Sequence, residues 1–176
     1  MKTRTIKFRG KRVNRNGEWT YGDLRHLEDR NLILPTGADA YKARIDADWV
    51  QEDTIGQFTG FYAECDRDIS EDYQREIYEG DIVEGCYKYN SFGENYGVIP
   101  DNDCLVKGVV VFENFEWQIE LLDVERPYFR FWKEYEYDYI PFTCFDNYDE
   151  PNTFRVLGNI HDNPELINGN YKQQEE

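Results

Sequence analysis

Long apolar runs are missing from this chain. Nothing in its 176 residues approaches the ~18 consecutive apolar side chains of a membrane-spanning helix, so no membrane span is expected. The opening Met1-Lys2-Thr3-Arg4-Thr5-Ile6-Lys7 is charged and leads into no apolar segment, which argues against a secretory signal. Histidine is scarce, at His26 and His161 alone. Cys65, Cys86, Cys104 and Cys144 include no C-x-x-C pair, and with two histidines they offer no zinc spacing. A P-loop and a G-x-G-x-x-G turn, the backbone cradles for phosphate, are lacking too. These absences imply reduced structural thiols in a cytoplasmic protein, with no cofactor and no metal.

Basic residues are in deficit: 20 Lys and Arg stand against 36 Asp and Glu, a net charge of −16. Residues 1–15 carry seven basic side chains and no acid, so the other 161 of the 176 residues hold −23. An acidic body repels nucleic acid at long range and stays soluble. The basic arm (Lys2, Arg4, Lys7, Arg9, Lys11, Arg12, Arg15) pulls the other way. It reads either as a basic strand laid against acidic neighbours, its charges pairing within a Debye length of ~10 Å, or as a grip for nucleic acid. The first reading is preferred, and nucleic acid is not an expected partner.

Large rings are plentiful, with 14 Tyr, 11 Phe and 4 Trp, too many for a disordered chain. A chain of this length buries roughly 70% of its unfolded surface, enough for one domain or two small lobes. Its pattern is mostly β. Ile6, Phe8 and Val13 lead to Asn14-Arg15-Asn16-Gly17, a hairpin turn, and Trp19, Tyr21 and Leu24 return. Leu32-Ile33-Leu34 is a strand stopped by Pro35, whereas Asp46–Val50 reads as one helical turn. Gly56, inside a strand pattern, marks a bulge or a close backbone approach. Val109–Phe112 and Trp117–Leu121 flank Glu113-Asn114-Phe115-Glu116 as an antiparallel pair, the second strand alternating apolar and polar. Phe129–Tyr139 alternates as well, with Tyr135, Tyr137 and Tyr139 opposite Glu134, Glu136 and Asp138. Phe154–Leu157 is a last strand, and Asn163 with Pro164 caps a short helix.

Three phrases stand out: Ile55-Gly56-Gln57-Phe58-Thr59-Gly60, Glu76-Ile77-Tyr78-Glu79-Gly80-Asp81-Ile82-Val83, and Val156-Leu157-Gly158-Asn159-Ile160-His161-Asp162-Asn163-Pro164-Glu165-Leu166. In that order, behind Ile6-Lys7-Phe8-Arg9-Gly10 and Gly17-Glu18-Trp19-Thr20-Tyr21-Gly22, they resemble the YopX family of phage and prophage proteins over residues ~6–167. The resemblance implies an SH3-like barrel over residues ~76–160 packed with an N-terminal β-hairpin lobe, few short helices and no established biochemical activity. The expected organisation is a β lobe at 1–60, an acidic connection at 61–75, a barrel domain at 76–167 and a polar tail at 168–176. The chain departs from the family at Ala63–Asp72, a long acidic stretch where relatives cross with a short glycine-containing turn. Signature positions are Gly56, Gln57, Thr59, Gly60, Glu79, Gly80, Asp81, Gly158, Asn159, Asp162, Asn163 and Pro164. Glu79, Asp81, Asn159 and Asp162 each lie in a tight turn next to Gly or Pro, where Asx side chains bond the local backbone, so a structural role is preferred.

Candidate chemistry is thin. His161 falls where the family often carries Tyr, which disfavours a general base, and nothing brings a cysteine to a histidine. Asp66-x-Asp68 and Asp101-x-Asp103 have metal-ligand spacing, but from Asp66 the sixth position is Glu71 and the twelfth Ile77, not a calcium loop's Gly and Glu. Residues 85–103 read as a long loop with a candidate binding set of Tyr87, Tyr89, Phe92 and Tyr96 among Gly, Asn and Ser, or as an insertion covering a barrel end. The preferred function is a non-enzymatic interaction or assembly module that binds a protein partner or itself. An acidic decoy imitating nucleic acid is the alternative, resting on the −23 body. A carboxylate-dependent nucleic-acid hydrolase using Asp81 or Asp162 comes third. No small-molecule substrate is indicated.

Overall fold

Asn16 and Gly17 hold φ of 47° and 73°, the positive values that a tight hairpin requires. The computed structural model describes residues 5–37, 47–63, 75–92, 98–124, 138–145 and 154–168; of these, 87–92, 98–104, 123, 124, 144 and 168 are described by backbone alone. Two compact units emerge, residues 1–61 with 76–79 and residues 62–75 with 80–176. Among the described residues no helix is long and apolar enough to cross a membrane.

The first unit is built on a six-stranded antiparallel sheet. Its strands are β1 (Phe8–Lys11), β2 (Trp19–His26), β3 (Asn31–Leu34), β4 (Asp48–Val50), β5 (Gly56–Ala63) and β6 (Arg75–Tyr78), ordered β4-β3-β2-β1-β5-β6. The Asn-Gly hairpin joins β1 to β2 with Arg9 opposite Tyr21 and Lys11 opposite Trp19. Asp48–Val50 is a strand, not the expected helical turn: Trp49 pairs with Leu32, and β-branched Val50 bridges back to Arg12. That pairing supplies the backbone bonds a lone helical turn would have left unmade. A 3-10 turn at Glu52–Thr54 follows, and Thr54 Oγ1 accepts the Lys11 N–H at 2.9 Å. Ile33, Val50, Phe58 and Ile77 are buried; each such side chain stabilises the fold by about 1.5–3 kcal/mol.

The second unit carries a five-stranded antiparallel sheet of β7 (Asp81–Phe92), β8 (Val98–Glu113), β9 (Glu116–Val124), β10 (Tyr139–Pro141) and β11 (Phe154–Asn159), ordered β10-β9-β8-β7-β11. Ile82, Val83, Val106, Val110, Ile119 and Ile140 are buried, with Phe142, Phe145 and Phe154 stacked at one end, ring centroids 4.8 and 5.0 Å from Phe154. Gly85 is needed there: a Cβ on it would lie 2.7 Å from the Phe154 ring. A 3-10 turn at Phe142–Phe145 and one short helix, α1 (Glu165–Asn168), complete the described elements.

The mostly β expectation holds, but the expected barrel differs from what forms. No pairing joins β10 to β11 among the described residues, so the sheet is open. Residues 85–92 and 98–103, expected within a long loop, are strand. The 12-residue β7 and 16-residue β8 pair from Ile82↔Val109 to Phe92↔Val98, making a long ribbon where a small barrel uses short strands. Segment 76–78, expected to open the second region, belongs to β6 in the N-terminal sheet. Residues 64–74 of the acidic connection, 129–137 of the tyrosine-rich alternation and the tail beyond Asn168 lie outside the described residues.

Candidate functional site

The signature residues divide between the two units, and in each they hold backbone. In the first unit, Gly56 meets the turn after β6 so closely that a Cβ would sit 2.6 Å from the Glu79 carbonyl oxygen. The close approach expected of this glycine is therefore real. Gln57 O accepts the Glu79 N–H at 3.0 Å, and Thr59 Oγ1 donates to Ile77 O at 2.8 Å while accepting the Phe61 N–H at 3.1 Å. Gly60 and Gly80 take φ of 91° and 78°, the left-handed region that favours glycine.

In the second unit, the Gly80 N–H donates to Val110 O at 2.8 Å, and Gly80 O accepts the Ile160 N–H at 3.0 Å. Asp81, 1% exposed, lies opposite Asn159 across the β7–β11 pair. Asn159 is the hub of the last turn. Its Oδ1 accepts the His161 N–H at 3.0 Å and the Asp162 N–H at 2.9 Å, and its Nδ2 donates to Asp162 Oδ2 at 2.8 Å. Gly158 leaves space for Asn163, whose Oδ1 would be 2.3 Å from a Cβ there. Asn163 Oδ1 accepts the Asn159 N–H at 3.3 Å, and its Nδ2 donates to Glu165 Oε1. The expected side-chain cap of α1 is thus replaced. The Asn163 carboxamide oxygen turns back to the strand end, while the Asn163 and Pro164 carbonyls accept the Leu166 and Ile167 N–H groups.

The family model described as YopX protein matches residues 7–168 of this chain. The chain belongs to the YopX family. No curated protein and no solved structure matches it.

In this YopX-family chain the basic arm is built into the first sheet. Lys7, just before β1, and Arg9 and Lys11 on it alternate along the chain. Lys7 Nζ donates to Glu76 Oε2 at 2.7 Å, and Arg12 Nε lies 2.8 Å from Asp48 Oδ2, close enough to attract but off the hydrogen-bond direction. Arg12 Nη1 also reaches Glu18 Oε2 at 3.2 Å. The Arg9 guanidinium, in a residue only 4% exposed, stands 4.7 Å from the Trp19 ring centroid and 5.1 Å from that of Tyr78, and Nη2 donates to Glu79 O at 3.0 Å. Lys11 approaches Trp19 from the same face at 5.5 Å. Tyr78 completes the cluster: its hydroxyl donates to Glu76 Oε2 at 2.6 Å, and burial, then that carboxylate, push its pKa well above the usual tyrosine range. Arg15 lies exposed at the turn; Lys2 and Arg4 lie outside the described residues.

The aromatic set proposed for residues 85–103 is redistributed. Tyr87 and Tyr89 are strand positions opposite Cys104 and Asn102, and Phe92 is opposite Val98; their side chains and Tyr96 lie outside the described residues. A different aromatic group shows at the β8–β9 hairpin. Phe115 is 97% exposed and Phe112 49% exposed, the latter packed edge-on to Trp117 with centroids 4.9 Å apart. Glu113 pairs directly with Glu116, and Glu120 with Tyr139. The negative field there raises the Tyr139 pKa, with Glu120 the first cause and Glu113 a further one. The residues of this turn were legible in the sequence; the exposure of Phe115 was not. Its only signal is a phenylalanine in the second turn position, where glycine is the usual choice.

Proposed function

We propose that this YopX-family protein is a non-enzymatic interaction or assembly module of a phage or prophage, acting in the cytoplasm through protein contacts. The use made of its polar residues carries the reading. The side chains of Thr59, Glu79, Asn159, Asp162 and Asn163 bond backbone or one another. Lys7, Arg9 and Arg12 engage Glu76, Glu79 and Asp48. Side chains so engaged hold a fold. Large apolar surface, meanwhile, is presented to solvent at the β8–β9 tip.

The burial of Asp81 supports a place for it in the fold over a place at a metal-dependent hydrolytic site. Light scattering of the full chain across concentration, with capture from nuclease-treated lysate, tests the module reading. A monomer at every concentration that captures nothing overturns it. Cleavage of single- or double-stranded nucleic acid with Mg²⁺ or Mn²⁺, lost in Asp81→Asn, would replace it with the hydrolase.

A further inference from the structure

Two turns of the chain place a pair of successive residues at positive φ: Asn16-Gly17, inside the longer connection from Lys11 to Trp19, and Asn114-Phe115, which alone joins Glu113 to Glu116. At Asn16-Gly17 the φ values are 47° and 73°, and at Asn114-Phe115 they are 51° and 68°. Asparagine tolerates the left-handed region and glycine adopts it freely, so the first turn has the residues its geometry favours. Phenylalanine does not favour it, because its Cβ crowds the following carbonyl. The second turn therefore holds a bulky residue in a disfavoured conformation and leaves its ring 97% exposed. Two further features of the tip work against the isolated fold. Glu113 stands directly across from Glu116, and like charges facing each other across strands repel. Phe112, beside them, is half exposed over the edge of Trp117.

A phenylalanine ring in water beside two facing acids is complemented by one kind of surface: an apolar socket rimmed with Lys or Arg. We propose that the β8–β9 hairpin tip is a docking finger. Phe115 is its anchor, with Glu113 and Glu116 pairing with basic groups around the socket of a different protein. This rests on the module reading above and names the partner's chemistry. Charge disfavours a second copy of the chain as occupant, since its net charge is −16 and Lys7, Arg9 and Arg12 are engaged within their own sheet. The anchor supplies contact area at low conformational cost, while the acids supply steering and specificity.

The test places p-benzoylphenylalanine at Phe115, and separately at Trp49 and Leu105 as other exposed large side chains, in the full chain produced in its native genetic context. After irradiation, adducts are mapped by mass spectrometry. The expected result is an adduct from position 115 to one protein, at an apolar surface with Lys or Arg beside it. Its yield should fall about fivefold or more in Glu113→Gln/Glu116→Gln or at high salt, as two lost rim charges imply. Adducts to a second copy, to nucleic acid or to a surface without basic residues overturn the proposal, as does a yield indifferent to the glutamates. Absence of adducts at 115 overturns it too; adducts at Trp49 or Leu105 would then leave the module reading standing, and none at any position removes both. Phe115→Gly gives an independent readout. Matching the first hairpin should raise Tm by about 1–4 °C while abolishing capture. A fall in Tm would mean that the ring supports the fold, and the docking finger would be wrong.

Discussion

Replacing Arg9 by Ala separates a structural arm from a nucleic-acid grip. The guanidinium lies 4.7 Å from the Trp19 centroid and 5.1 Å from that of Tyr78 and donates to Glu79 O at 3.0 Å. Each desolvated cation–π contact is worth about 0.5–2 kcal/mol. A charge-assisted hydrogen bond adds about 1.5–3 kcal/mol. Removing the side chain also removes the cost of taking its charge out of water on folding, which offsets part of the loss, so the net cost should be about 2–4 kcal/mol. Arg9→Lys keeps the charge but not the flat guanidinium beside the two rings, and should cost about half as much. Urea unfolding followed by tryptophan fluorescence reads this directly, because Trp19 reports on the affected sheet. With a slope near the upper end of about 1–3 kcal/mol/M, the Arg9→Ala midpoint should fall by about 0.7–1.6 M. A shift below about 0.3 M would refute the structural assignment. Loss of nucleic-acid affinity at an unchanged midpoint would identify Arg9 as a grip.

Gly56→Ala drives a Cβ to within 2.6 Å of a backbone oxygen that cannot rotate away, and thermal unfolding should show a loss of about 2 kcal/mol. Gly85→Ala meets the Phe154 ring at 2.7 Å and should loosen the Phe142–Phe145–Phe154 group, visible as sharpened hydrogen exchange along β11. Asn159→Ala removes the acceptor of the His161 and Asp162 N–H groups and the donor to Asp162, at about 2–4 kcal/mol, with both amides losing exchange protection. Tyr78 carries a raised pKa, so the folded state favours its neutral form. That stability is present below the unfolded value of about 10 and is lost as pH rises above it. Unfolding free energies measured between pH 9 and 12 should therefore fall less steeply in Tyr78→Phe, by up to about one proton.

Much of the fold was legible because it was local. Asn16-Gly17 announced a positive-φ turn, Pro35 the end of β3, and the spacing of Trp117, Ile119 and Leu121 a strand. What was missed depends on partners distant in sequence. Three residues, Asp48–Val50, carry no period of their own and become a strand through β3 and the end of β1. Residues 85–103 have a loop's composition, yet each backbone of the ribbon supplies the other's hydrogen bonds, which composition cannot express. Likewise β6 joins a sheet whose remaining strands end by residue 63. Among the signature positions, Gly56 was read correctly as a close approach, whereas the Asn163 carboxamide oxygen was aimed at the wrong backbone group.

The family phrases and the proposed finger lie at opposite ends of one physical scale. Gly56, Gly80, Gly158 and Asn159 are the residues that their turns require, so a family model built on such positions recognises how this chain folds. By the same logic, positions that tell what it does are those the fold would be better without. Phe115 meets that description: glycine would suit its φ of 68°, and its ring is 97% exposed. Glu113 meets it too: it faces Glu116, whose Oε1 accepts from the buried Gln118 Nε2 at 3.1 Å, and a neutral side chain at 113 would pair there without repulsion. Local choices that oppose the native structure mark places where another requirement operates. Two such choices, Glu113 and Phe115, fall within three consecutive residues at the end of one hairpin, which makes the tip, ahead of the signature turns, the place where interaction should be sought first.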